Sequence, residues 1–99
     1  MTHAIRFHKT GGPEVLQWEE VEVGDPGAGE VLLRQTAIGL NYIDTYHRSG
    51  LYPAPVPGVI GLEGAAVVER VGAGVADLKA GDRVAYASAP LGAYATWRV

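Results

Sequence analysis

Glycine and proline constrain this chain more than any other feature: 14 Gly and 6 Pro among 99 residues cut it into pieces too short for long helices. Between the breaks the chain is apolar enough to build a core, with 47% hydrophobic and 19% charged residues. Its length suits one compact domain. A β-rich, turn-rich globule follows.

The pieces read in order. His3 to His8 sets Ala4 and Arg6 against Ile5 and Phe7, the period-two pattern of a half-buried strand, and Gly11-Gly12-Pro13 ends it. Val15 to Val23 is a ragged strand with room for a bulge, closed by the turn Asp25-Pro26-Gly27. Glu30 to Leu40 is β-branched and apolar enough for a central strand, with Arg34 and Thr36 on its wetter face. Asn41 is placed to cap a helix of about two turns, with Asp44 near its positive end and Gly50 closing it. Pro53, Pro55 and Pro57 then forbid helix and ladder pairing, which predicts a rigid extended loop suited to presenting side chains.

Gly64 to Val71, Arg83 to Ala87 and Ala93 to Val99 are the remaining strands. Gly72-Ala73-Gly74 is a hairpin or bulge and not a phosphate loop, because no helix pattern follows it. Asp82 in Gly81-Asp82-Arg83-Val84 reads as turn chemistry, its carboxylate bonding nearby backbone. About six short strands with one short helix and no βαβ alternation predict a mainly β fold, a partly open barrel.

Several functions are disfavoured. Eight Lys and Arg against 11 Asp and Glu give a net charge of −3, with no basic run to neutralise phosphates, so nucleic-acid binding is not expected. No cysteine is present, which removes disulfides and thiolate metal sites. His3, His8 and His47 lack close spacing and read as surface histidines. The polar N-terminus is unlike a signal peptide, and the apolar runs are too short to span a bilayer, so a soluble cytoplasmic protein with no membrane partner is expected. Gly61 and Gly64 flank Glu63 and let the backbone pass close to another element. Glu63 itself is open between a solvated loop carboxylate, a salt bridge to Arg48 or Arg83, and a group lining a site.

The motifs GLNYID, RSGLYP, VPGVIGLEGAAVVERVG and AGDRVAY stand in the order and spacing of the GroES-like catalytic domain of medium-chain dehydrogenases/reductases. With FHKTGGPEVL and IDTYHRSGLYP, the chain resembles the zinc-free quinone oxidoreductases, the zeta-crystallin-like branch, over essentially its whole length. The resemblance implies a GroES-like barrel as the substrate-side domain, residues 1–99, with a nucleotide-binding domain on the order of 150 residues following Val99. No dinucleotide fingerprint lies within these residues, so the isolated chain is expected to be inactive alone. An apolar face carrying Trp97 or Tyr94 would pack on that second domain.

Where the zinc branch of this superfamily carries a Cys and a His as metal ligands, this chain has Asn41 and Leu62, and no thiolates follow the Arg83 strand for a structural zinc. The implied chemistry is hydride transfer from NADPH to a quinone without a metal, with side-chain donors settling charge on the acceptor oxygen. By the resemblance Asn41, Tyr46 and Tyr52 are the catalytic donors, with Asn41 also facing the cofactor, and Ile43, Leu62 and Glu63 line the substrate pocket. Plain alternatives stay open: Asn41 as helix cap, the tyrosines as core-edge residues, and Ile43 and Leu62 as ordinary core. The resemblance further implies a full-length homodimer. Two other functions compete, an enoyl or alkenal reductase of the same superfamily and a stand-alone GroES-like binding module, though the latter lacks the mobile apolar loop of co-chaperonin subunits.

Overall fold

The computed structural model describes residues 2–88 and 90–99. Strand β1 (His3–Phe7) is the centre of a three-stranded sheet, pairing antiparallel with β2 (Gln17–Glu20) and with β4 (Gly58–Val59). Strand β3 (Val31–Ile38) and β5 (Gly64–Val71) form the long ladder of a second sheet, flanked by β6 (Arg83–Tyr86) and β7 (Trp97–Arg98) in the order β6-β5-β3-β7. An isolated bridge, Ala4 to Ala95, ties the two sheets, which do not close into a full barrel. The mainly β, partly open architecture with one α-helix, α1 (Ile43–Ser49), is the one the sequence predicts. No helix among the described residues is long and apolar enough to cross a membrane.

Details differ where tertiary contacts override local pattern. The ragged Val15 to Val23 segment is a 3-10 turn over Pro13–Val15 followed by the short β2, because Val15 turns inward onto Phe7 and Ile60. The expected bulge sits instead in the β3/β5 ladder, with register shifts at Leu32/Leu33 and between Gln35 and Ala37. The first shift lets the consecutive Leu32 and Leu33 both be buried, which strict alternation forbids. The proline segment does pair after all: ladder contact with Arg6 and Phe7 begins at Gly58, the residue after Pro57, where backbone N–H groups return. The last strand narrows to Trp97–Arg98 on β3, preceded by the Ala95 bridge.

Two apolar clusters make the core. Phe7, Val15 and Ile60 pack together with Leu16, Ala54 and Tyr94 against them, and Leu33, Ala66 and Val68 pack with Val31, Val84 and Tyr86. Asp82 does the turn work expected of it, its carboxylate accepting the Lys79 N–H at 3.0 Å and the Lys79 ammonium at 3.1 Å. The Lys79 backbone N–H, then its side chain, hold the Asp82 carboxyl below its ordinary 3.8.

Candidate active site

The Phe7 cluster fixes Ile60, and from Ile60 the chain makes a sharp passage through Gly61 to Leu62 and Glu63. Gly61 has φ +107, and a Cβ there would come within 2.5 Å of the Tyr94 ring, so the close approach that the flanking glycines promise is to Tyr94 and Ala93. Gly64 approaches Gln35 and Tyr86 in the same way. Glu63 then faces Asn41, whose Nδ2 donates to Glu63 Oε1 at 2.9 Å. A carboxylate only accepts, so the contact fixes which end of the Asn41 amide is the NH2. One N–H is spent on Glu63, and the second N–H and Oδ1 remain.

This bond corrects two readings. Asn41 is not a side-chain cap of α1: its side-chain amide is committed to Glu63 and donates or accepts no bond at the first turn. Nor does Glu63 bridge to Arg48 or Arg83. Arg48 Nε donates to the Gly11 carbonyl at 3.2 Å, and the Arg83 side of β6 is exposed. Gly39 has a role that sequence reading passed over. Its N–H donates to the Glu63 carbonyl at 3.1 Å, and a Cβ at Gly39 would overlap the Glu63 side chain.

The helix start is closed from the opposite direction. Asp44 is 2% exposed, and its Oδ2 accepts the Asn41 backbone N–H at 3.1 Å and the Tyr94 hydroxyl at 2.5 Å. A residue three positions along reaching back to the first backbone N–H is half of a capping box. The expectation of a dipole partner named the right end of the helix but not the bond. His47, expected at the surface, is 9% exposed because it lies one turn on from Asp44 on the inward side of α1. His3 stacks on Trp18 and His8 meets Glu19 at 2.6 Å.

Tyr46 and Tyr52 do come together, with ring centroids 5.2 Å apart edge to face and the Tyr52 N–H donating to the Tyr46 carbonyl at 3.2 Å. Tyr42, not singled out by sequence, extends the row, 5.4 Å from Tyr46. Neither the Tyr46 nor the Tyr52 hydroxyl has a hydrogen-bond partner among the described residues, so both are free to donate. Ile43 and Leu62 are half-buried beside this assembly in sequence, yet neither lines the groove of about 560 Å³ formed by Ala37 to Gly39, Glu63 to Ala65 and Ala85 to Ala87. Of the six candidates, Glu63 alone is in that wall. A second groove of about 550 Å³ lies between the proline segment and Trp97 to Val99. Trp97 lines it, whereas Tyr94 points into the core and Asp44.

Burial first, and the Asp44 carboxylate second, push the Tyr94 hydroxyl well above its ordinary 10.0. The fold therefore favours the protonated phenol. Its stabilising effect is complete below pH 10 and is lost as pH rises through the raised value, because the unfolded chain ionises first. In urea unfolding followed against pH, Tyr94→Phe is expected to flatten the alkaline decline that begins near pH 10. An unchanged alkaline limb would show that Tyr94 does not shape it.

With two sheets, one short helix and a glycine-framed Glu63, the chain belongs to the alcohol dehydrogenase GroES-like domain family, which matches residues 27–96. Within that family it is similar over its whole length to a quinone oxidoreductase of Pseudomonas aeruginosa, at 55% identity, and to a 2-haloacrylate reductase of a Burkholderia species, at 53% identity. It spans 31% of the length of each. The crystal structure of Escherichia coli quinone oxidoreductase complexed with NADPH matches with TM-score 0.93 and 52% identity, over 99% of this chain and 30% of that one.

Proposed function

We propose that residues 1–99 are the substrate-side domain of a cytoplasmic, homodimeric NADPH:quinone oxidoreductase that works without zinc, paired with a nucleotide-binding domain. The observation that carries this reading is the Asn41 amide, oriented by Glu63 with one N–H and Oδ1 left over, in a chain 55% identical to a quinone oxidoreductase. NADPH, when bound, supplies the hydride. Asn41 holds its second N–H toward the acceptor oxygen on which charge develops, and its Oδ1 offers an acceptor to the cofactor amide. The Tyr46 and Tyr52 hydroxyls donate to the same acceptor and deliver the proton that completes the quinol. Their rings, with Ile43 and Leu62, give a planar acceptor an apolar wall.

The residues do not fit a catalytic zinc. Of the two positions where the zinc branch carries its Cys and His, Leu62 offers no donor atom and Asn41 only a neutral amide oxygen, a poor zinc ligand. Work therefore falls on hydrogen-bond donors.

A second reading, reduction of an activated double bond, is favoured by the 53% identity to a 2-haloacrylate reductase. A haloacrylate carries a carboxylate that calls for a cation, whereas the groove walled by Glu63 is lined by no Lys or Arg among the described residues. A neutral quinone needs no such group. Steady-state NADPH oxidation by the complete protein is expected with a small quinone and to be at least about tenfold weaker in kcat/KM with 2-chloroacrylate. The reverse order would replace this reading with the second, and no turnover with either would overturn both.

A further inference from the structure

We propose that Tyr94 and Asp44 are positioning residues that act on the reaction through Asn41, a proposal that rests on Asn41 facing the acceptor. Tyr94 is a strut between the core and the helix start. Its ring packs on the Phe7, Val15 and Ile60 cluster. Its N–H donates to the Ile60 carbonyl at 3.0 Å, and its carbonyl accepts the Ile5 N–H at 2.8 Å, so its backbone is tied to both β1 and the Gly61 passage. From that footing the hydroxyl reaches Asp44 Oδ2 at 2.5 Å, the length of a short charge-assisted bond. The same oxygen takes the Asn41 backbone N–H at 3.1 Å.

Asn41 is thus held at two points. Glu63 fixes its side chain, and Tyr94 through Asp44 fixes its backbone. Both anchors return to one short segment, since Glu63 lies three residues after Ile60 and Tyr94 bonds Ile60 directly. Asp44 Oδ1 is buried with no hydrogen-bond partner, so the Tyr94 hydroxyl and the Asn41 N–H carry this carboxylate between them. Loss of the hydroxyl leaves a buried carboxylate short of a donor and frees it to pull the helix start out of place. A donor displaced by a fraction of an ångström aims poorly at a developing charge, which lowers the rate of the chemical step more than substrate binding.

The test uses the complete protein with Tyr94→Phe and, as the harsher change, Asp44→Asn. Hydrogen exchange at the Asn41 amide is expected to quicken about tenfold in Tyr94→Phe, with the Glu30 amide at the far end of the molecule unchanged. With a quinone that the unaltered protein reduces, kcat is expected to fall about tenfold and KM to change by less than about twofold. The primary isotope effect with NADPH deuterated at the transferred position is expected to rise. A purely structural role would lower the melting temperature while leaving kcat per folded molecule and the isotope effect alone, and that result overturns the proposal. Should the unaltered protein reduce no acceptor, the functional reading fails by itself, and unchanged exchange at Asn41 in Tyr94→Phe then overturns the strut independently. If Asp44→Asn does not fold, Tyr94→Phe decides.

Discussion

Phe7→Ala is expected to cost about 3–5 kcal/mol of stability, the range for emptying a well-packed aromatic site. Phe7 is 1% exposed and sits at the centre of the cluster with Val15 and Ile60. Relaxation into the vacated space is restricted from three directions. The backbone of Phe7 is paired to Gly58, Val15 is held by the 3-10 turn, and Ile60 is bonded through its carbonyl to the Tyr94 N–H. A domain of this size has about 5–15 kcal/mol in total, so the loss is a large share of it. Hydrogen exchange at the Ile5 amide, which donates to the Tyr94 carbonyl at 2.8 Å, reads the effect. Protection there should drop by about two to four orders of magnitude if Ile5 opens with the domain. A drop below about tenfold would mean that β1 opens separately from the core.

The parts of this fold that were legible in the sequence are those decided by neighbours along the chain. The strand at His3 to Phe7, the β-branched run of β3, the small-residue strand β5, the turn around Asp82 and the closing Gly50 of α1 are local facts, and the structure keeps them, although Ala4 rather than Ile5 is buried along with Phe7. Gly50 has φ +90, a conformation that glycine adopts without strain. What escaped was decided across the fold. Gly58 and Val59 look like the tail of a proline loop until Arg6 and Phe7 are placed beside them. Glu63 offered three readings because its partner, Asn41, lies 22 residues away, and the Tyr94 bond to Asp44 spans 50. Neither separation matches a helical or strand period, so no pattern announces the pair. His47 could have been read inward, since it falls one turn from Asp44, but only if Asp44 were first known to be buried.

Asn41→Ala is expected to lower kcat/KM for quinone reduction by about 10²–10³, the cost of removing one preorganised donor from a developing oxyanion. Glu63→Gln separates orientation from charge. Gln retains an amide oxygen that accepts the Asn41 N–H, but its own NH2 is equally able to turn toward Asn41, so the 2.9 Å bond holds in only part of the population. A loss of about tenfold, smaller than for Asn41→Ala, is the expected result, with most of it in kcat. Combining the two changes should cost no more than Asn41→Ala alone, because Glu63 acts on the reaction through that amide. Full additivity of the two losses would mean instead that Glu63 meets the acceptor or the cofactor directly, as its place in the wall of the 560 Å³ groove allows. The cycle therefore assigns Glu63 to one role or the other, and loss of activity in neither single variant would remove this pair from the reaction.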